Sequence, residues 1–200
     1  MDDFFTTRRS IRHFSQQIIA EAQLIACADA ARLAPQSANL QPVRQVLINR
    51  PELCREIFPL LRFAAYLYPR YTPAPEQAPT AYLLLLNDLR LKPQGSDNDC
   101  AAQAVAFIYK AWQQGIGSCW MGAIDRPAIL KLLKIDPACY QLHSLIALGY
   151  PAETPQAEDS PLAQQRYYLD QAGLLHVPKR PLRQVLSLNQ APAEILSEQD

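Results

Sequence analysis

An unbroken apolar run, Ala81-Tyr82-Leu83-Leu84-Leu85-Leu86, stands near the middle of the chain and leads into Asn87. It lacks the apolar–polar alternation of a strand with one wet face, so Ala81 to Asn87 reads as a buried strand. It is far too short to span a bilayer. A second buried strand, His143 to Leu148, is closed by Gly149-Tyr150-Pro151. The chain has to enclose both. Its 200 residues suffice for one domain with a real core or for a tightly joined dimer.

Between these runs Asp97 or Asp99 starts a long helix through Gln114, with Ala101, Ala104, Val105, Ile108, Tyr109 and Trp112 on its apolar face. Gly115 and Gly117 end it. Gln45 to Asn49 predicts a strand, and Pro51 opens a short helix with Leu53 and Ile57. Ser118 to Ile124 is short and bulky, a strand or a turn followed by one, and Asp125 caps a helix at Pro127 to Leu133. Nearer the N-terminus, Asp2 to Arg9 predicts a short helix. Ser15 is placed as the N-cap of a helix carrying Ile18, Ala22, Ile25, Ala26, Ala30 and Leu33 at helical spacing, stopped by Pro35. Pro59 to Pro79 is irregular, with five prolines beside Phe63, Tyr66, Tyr68 and Tyr71. A long loop of this kind is a binding loop or a lid, and its aromatics argue against disorder. Its tyrosines either stack on an acceptor or pack inside. His176 to Asp200 holds Leu182, Val185, Leu186 and Leu188 with little local core, as in a tail that packs on a partner subunit.

Several function classes are excluded at this level. No G-x-G-x-x-G follows a strand and no Walker A is present, so neither nucleotide fingerprint applies. The 19 basic and 19 acidic residues cancel and the pI is near 6.8, which leaves no global footprint for nucleic acid. His13, His143 and His176 lie far apart, without metal-ligand spacing. Five scattered cysteines without a C-x-x-C pair fit a reduced compartment rather than a disulfide framework or a zinc site. Asp2 and Asp3 make the N-terminus polar and acidic, unlike a signal peptide, so the expected location is cytoplasmic, away from membranes.

Against this neutral background one local cluster stands out, Arg8-Arg9-Ser10-Ile11-Arg12-His13-Phe14. Three guanidinium groups and a hydroxyl within five positions call for a small anionic partner, because the guanidinium fork suits phosphate and electron-rich heteroaromatic rings. Three other segments carry chemistry. Pro35-Gln36-Ser37-Ala38-Asn39-Leu40-Gln41-Pro42 is a polar turn between a helix and a strand. Gly115-Ile116-Gly117-Ser118-Cys119-Trp120-Met121-Gly122 has glycines that allow close backbone approach. Lys179-Arg180 follows His176-Val177-Pro178. Cys119 reads as a small buried hydrophobe, His13 and His143 as structural, and Gln103 and Asp99 as helix start and packing. Taken alone, Trp120 and Met121 read as core.

In their order, from about Asp3 to Val185, these motifs resemble the FMN-dependent nitroreductase family. The R-R-S-x-R-x-F start, the S-x-N-x-Q-P turn, the G-I-G-S-C-W-M-G segment, the L-G-Y-P-A strand end and the V-P-K-R-P-L tail carry the resemblance. It implies an α+β fold, a mixed central sheet flanked by helices, in a single domain over residues 1–200. The C-terminal tail would reach the partner subunit of an obligate homodimer, with FMN at the interface. Arg8, Arg9, Ser10 and Arg12 would hold FMN, Pro35, Gln36, Ser37 and Asn39 would line the ring, and the backbone of Trp120, Met121 and Gly122 would lie near its redox-active edge. Lys179 or Arg180 would close on the phosphate. Gln36 stands where many members carry Ser. The implied activity is two-step transfer of a hydride from NAD(P)H to a nitroaromatic, a quinone or a similar electron-poor small molecule. A non-catalytic flavin-binding protein, or a specialised dehalogenase-like or cobalamin-pathway-like flavoenzyme of the same fold, is the alternative.

Overall fold

A computed structural model describes residues 4–160 and 165–191. The contacts divide the chain into two compact units, Met1–Glu153 and Thr154–Asp200. The first is built on a four-stranded sheet in the order β1-β2-β4-β3, with β1 at Val43–Ile48, β2 at Ala81–Asp88, β3 at Gly117–Met121 and β4 at Tyr140–Gly149. All three strand pairings are antiparallel. A parallel bridge from Ser10 to Ser118 adds the N-terminal segment at the β3 edge.

The two apolar runs occupy the middle of this sheet. All of β2 is buried, and its side chains alternate between two cores, one on each face. Leu83 and Leu85 face one core together with Ile146 and Leu148 of β4. Helices α2 (Glu21–Arg32) and α4 (Asp97–Gln113) cover that face with Leu24, Cys27, Phe107 and Ala111. Tyr82, Leu84 and Leu86 face the other core, closed by Ile57 of α3 (Pro51–Ile57) and Ile129 of α5 (Arg126–Leu132). The side chain of Asp125 accepts from the Ala128 N–H at 3.1 Å and caps α5, as its spacing predicts.

The N-terminal part differs from expectation. Only Phe4–Thr7 is helical (α1), which leaves Arg8 and Arg9 outside the helix; the predicted start at Asp2 lies outside the described residues. Ser15 is not an N-cap. Its N–H donates to the Tyr150 carbonyl at 2.9 Å, and α2 starts after Ala20 without a side-chain cap. Residues 10–15 are recruited by the edge of the sheet, which satisfies their backbone better than an early helix would. Strand β3 stops at Met121, short of the expected Ile124, because residues 122–125 turn to pair with residues 60–62.

The second unit holds a small sheet, with β5 (Gln156–Asp159) parallel to β7 (Leu175–Lys179), and β6 (Tyr168–Leu169) antiparallel to β7. A short helix, α6 (Leu182–Val185), follows. Leu182, Val185, Leu186 and Leu188 are all exposed. The end of the predicted tail, residues 192–200, lies outside the described residues.

Candidate functional site

The arginine segment is anchored by its two apolar members. Ile11 and Phe14 are fully buried, while Arg8, Arg9, Ser10, Arg12 and His13 are half-buried. Ile11 donates its N–H to the Ser118 carbonyl at 2.9 Å, and Phe14 donates to the Gln77 carbonyl at 3.0 Å. The sheet leaves room for both through one pair of glycines, Gly117 and Gly149, which face each other across β3 and β4. A Cβ at Gly117 would lie 2.9 Å from Ile11 Cγ1, and a Cβ at Gly149 would lie 2.7 Å from Phe14 Cδ1 and 2.8 Å from Phe14 Cβ. Gly117 therefore admits the N-terminal segment. Gly122 has open space where its Cβ would be.

Arg8 places its guanidinium 5.9 Å from the centre of the Tyr109 ring, and Arg9 Nη1 donates to the Arg8 carbonyl. No carboxylate pairs with Arg8 or Arg9 among the described residues. Arg9 Nε is buried without a partner. Burial, and then the neighbouring charge of Arg8, lower the pKa of Arg9 from its ordinary value. Two adjacent cations with an unmet donor form a positive site that an anion would complete.

The polar turn is held elsewhere. Ser37 donates its N–H to Asp99 Oδ1 at 2.7 Å, and Lys92 Nζ meets Asp99 Oδ2 at 2.6 Å. Burial pushes the Asp99 carboxyl up, but Lys92 and the Ser37 amide outweigh it and hold the group below its ordinary range. The turn itself is strained: Ala38, Asn39 and Gln41 have φ of 48°, 53° and 50°, a left-handed region that L-residues seldom occupy. Ser37 and Asn39 are exposed, Pro35 is exposed, and Gln36 is half-buried with its Oε1 unpartnered.

Helix α4 separates the two clusters. Asp99, in its first turn, holds the polar turn, whereas Tyr109 and Trp112, near its end, touch the arginine segment through Phe5, Thr7 and Arg8. Asp99 and Tyr109 are ten residues apart, about 15 Å at the rise of a helix. One chain therefore anchors the two predicted groups at different places.

Helix α4 also corrects the sequence reading of its apolar face. Ala104 and Ile108 join the core, but Val105 is 45% exposed, and Ala101, Tyr109 and Trp112 are half-buried on the outer side. The helix is apolar around most of its circumference; the core covers one side, Phe5, Thr7 and Arg8 touch Tyr109 and Trp112 on the other, and Val105 is left exposed.

At the sheet edge, Met121 and Cys119 point into the α3–α5 core, and burial raises the Cys119 thiol pKa. Trp120 is not core. It is 38% exposed, with Nε1 donating to Ser144 Oγ at 2.7 Å. Because the Ser118 carbonyl faces outward to Ile11, strand alternation turns the Trp120 N–H and C=O outward too. The edge continues into a cavity of about 420 Å³ lined by Pro59, Leu60, Arg62 and residues 122–125. A larger cavity of about 720 Å³, beside Pro127, Leu130 and Tyr140, includes none of the predicted residues. Tyr66 and Tyr68 are exposed and Tyr71 is buried.

In the second unit Lys179 and Arg180 are exposed, and Arg180 Nη2 donates to Gln165 Oε1 at 3.4 Å. His176 lies between two carboxylates, with Nδ1 2.9 Å from Glu158 and Nε2 3.3 Å from Asp170, and the Tyr168 ring stacks on it at 4.9 Å. His143 bonds Ser144 and faces Asp97, a structural arrangement. No group of His, Cys, Asp and Glu suited to a metal ion occurs among the described residues, and no helix there is long and apolar enough to cross a membrane. The reading of single letters missed Asp99 as the holder of the turn, and it missed Glu153, which receives the arginine segment from beyond β4. Their only local signals were a first-turn acid and an acid after Gly149-Tyr150-Pro151.

Comparison with known proteins gives a consistent answer. The model of the Nitroreductase family matches residues 5–150. An NADH dehydrogenase of Thermus thermophilus is 29% identical over 182 residues, spanning 73% of this chain and 84% of that protein. Among solved structures, a nitroreductase family protein of Clostridium difficile 630 superposes with a TM-score of 0.68 at 18% identity, covering 94% of this chain and 97% of the other. An FMN-dependent nitroreductase of Clostridium difficile R20291 gives 0.64 at 22% identity, covering 78% and 90%.

Proposed function

The chain belongs to the nitroreductase family, and we propose that it is an FMN-dependent oxidoreductase carrying reducing equivalents from NAD(P)H to a small electron-poor acceptor such as a nitroaromatic or a quinone. The observation that carries this reading is the unpaired cation set. Among the described residues Arg8 and Arg9 sit together without a carboxylate, and Arg9 Nε is buried without an acceptor. This donor set fits the dianionic phosphate of FMN and the ring edge that gains negative charge on reduction. FMN, when bound, supplies two-electron hydride chemistry that no side chain can provide.

The chain's own residues divide the remaining work. Arg8, Arg9, Ser10 and Arg12 would hold the anion, with Ile11 and Phe14 fixing the segment beneath them. The outward N–H and C=O of Trp120, continued by Met121 and Gly122, would meet the ring's polar edge. Gln36 Oε1 is an acceptor suited to a ring N–H, and Pro35, Ser37 and Asn39 would line the ring beside it. The resemblance adds Lys179 or Arg180 as a phosphate ligand.

Helix α4 supports the homodimer reading. A helix apolar around most of its circumference is stable in water when most of that surface is covered. A second copy packed on the Val105–Tyr109 side would cover the exposed face, and it would let one copy's polar turn complete the other's arginine segment. The exposed leucines of the C-terminal tail suit the same partner. The expected location is the cytoplasm.

The purified protein should bind FMN and quench its fluorescence, and anaerobic NADH or NADPH should then bleach the flavin. A protein that binds FMN but is bleached by neither is a flavin-binding protein only. One that binds no FMN refutes the whole reading. Arg8→Ala or Arg12→Ala should each weaken FMN binding by the worth of a charge-assisted hydrogen bond, about 1.5–3 kcal/mol.

A further inference from the structure

Glu153 lies four residues beyond the end of β4, and its side chain is 12% exposed. Its Oε1 accepts the backbone N–H of Arg12 and, at 3.2 Å, that of His13. Its Oε2 lies 2.9 Å from His13 Nδ1 and accepts the Tyr71 hydroxyl. The His13 and Tyr71 rings meet edge-on, with centroids 4.6 Å apart. One carboxylate therefore gathers two consecutive amides of the arginine segment, an imidazole, and a phenol from residues 59–79. Burial pushes its carboxyl up, but the bonds from His13, Tyr71 and the Arg12 amide prevail and hold it below the usual carboxylate range.

A buried carboxylate is costly unless its lone pairs are filled, and here four contacts fill them. Two consecutive amides converging on one oxygen fix both peptide planes, and so the direction in which the Arg12 side chain leaves the backbone. Ile11 and Phe14 lock the segment from below through the glycine pair. Neither of them orients the peptides at Arg12 and His13, which lie between.

We infer that Glu153 is a positioning residue for the cofactor segment, and that through Tyr71 it couples this segment to residues 59–79. The inference rests on the FMN reading above. Coupling of this kind is reciprocal: filling the arginine segment steadies residues 59–79, and steadying them favours filling.

The test uses the full chain with added FMN and three variants: Glu153→Ala, Glu153→Gln and Tyr71→Phe. Three quantities are read: the FMN Kd from flavin fluorescence quenching, amide hydrogen exchange of residues 8–14 and 59–79 with and without FMN, and the melting temperature. Glu153→Ala should weaken FMN binding about tenfold or more, the worth of one charge-assisted bond, and speed exchange at Arg12 and His13 in the FMN-free protein. Glu153→Gln, whose amide oxygen still accepts both N–H groups, should restore most of the affinity. FMN should slow exchange of residues 59–79 in the wild type and lose that effect in Tyr71→Phe.

A folded Glu153→Ala that binds FMN as tightly as wild type overturns the proposal. So does a lowered melting temperature with unchanged Kd, because that is a structural role alone. Should Glu153→Ala fail to fold, Glu153→Asp decides: its carboxylate is one methylene short, so an unchanged Kd overturns the proposal and a weakened one supports it. Wild-type protein that fails to quench FMN refutes the FMN reading and this inference with it, whereas equal quenching by wild type and Glu153→Ala refutes the inference alone.

Discussion

Replacing Gly149 by Ala tests how the arginine segment is held. The new Cβ would stand 2.7 Å from Phe14 Cδ1 and 2.8 Å from Phe14 Cβ and Cγ. Carbon atoms rest at about 3.5–4.0 Å, so Phe14 must retreat by about 0.7–1.3 Å. Rotation of the ring gives no relief, because Cβ itself is in the clash. The backbone must move, yet it is pinned on both sides of Phe14, by His13 C=O to Ala152 N–H at 2.9 Å and by Ser15 N–H to Tyr150 C=O at 2.9 Å. Overpacking of this kind costs about 1–3 kcal/mol. For a chain of this size each kcal/mol shifts the melting temperature by about 2–4 °C, so a loss of roughly 2–12 °C is expected. The same displacement disturbs the neighbouring Arg12 and, on the FMN reading, should weaken FMN binding. Thermal unfolding followed by circular dichroism, with a parallel FMN titration, reads both. Gly122→Ala, where the new Cβ meets nothing within 4 Å, should leave the melting temperature unchanged. If Gly149→Ala melts within a degree or so of wild type, the close approach of Phe14 to β4 is not what fixes the segment.

Asp99→Ala strands the Lys92 ammonium and the Ser37 N–H; it should cost about 3 kcal/mol in urea unfolding, the lower end for a broken buried pair because Lys92 keeps some solvent, and a loss well below 1 kcal/mol would show the pair to be incidental. In the wild type the Asp99 pKa is lowered, so its contribution is full above the unfolded value near 3.9 and is lost as pH falls through the folded pKa, which urea midpoints across that range should follow. Val105→Glu puts a charge on the exposed side of α4; on the proposed pairing the wild type should sediment as a dimer and the variant as a monomer, and a variant that stays dimeric would place the interface elsewhere. Glu158 and then Asp170 raise the His176 pKa, so its stabilisation of the second unit is complete below about 6.5 and fades as pH rises through the folded value. Protection of residues 165–180 from hydrogen exchange, corrected for intrinsic rates, should fall over that interval, and His176→Gln should remove the dependence.

Side-chain chemistry and periodicity were legible in the letters; long-range placement was not. The run at Ala81 showed a strand buried on both faces because the lack of alternation is itself the signal, and β2 buries every side chain. The Asp125 cap was legible because a cap acts within one turn. Helix α4 was misread for a related reason. Its apolar residues surround the axis, so a search for one apolar face finds one, and only packing shows that Val105 and Tyr109 lie off the core while Ala104 and Ile108 lie in it. The arginine cluster was found because guanidinium chemistry needs no fold to be recognised. The groups that hold it and the polar turn lie far off in sequence: Glu153 lies 141 residues from Arg12, and Asp99 lies 62 residues from Ser37. An acid in a first turn or after a turn is ordinary until the fold buries it, and burial makes its hydrogen bonds compulsory. Local pattern thus names the groups that would touch a cofactor, while the groups that position them emerge only when strands distant in sequence become neighbours. Helix α4 extends the same reasoning one level up. Its length sets the anchors of the polar turn and of the arginine segment about 15 Å apart along one helix, and on the dimer reading proposed above the two groups would meet on a flavin only across two copies, which no one-chain pattern can encode.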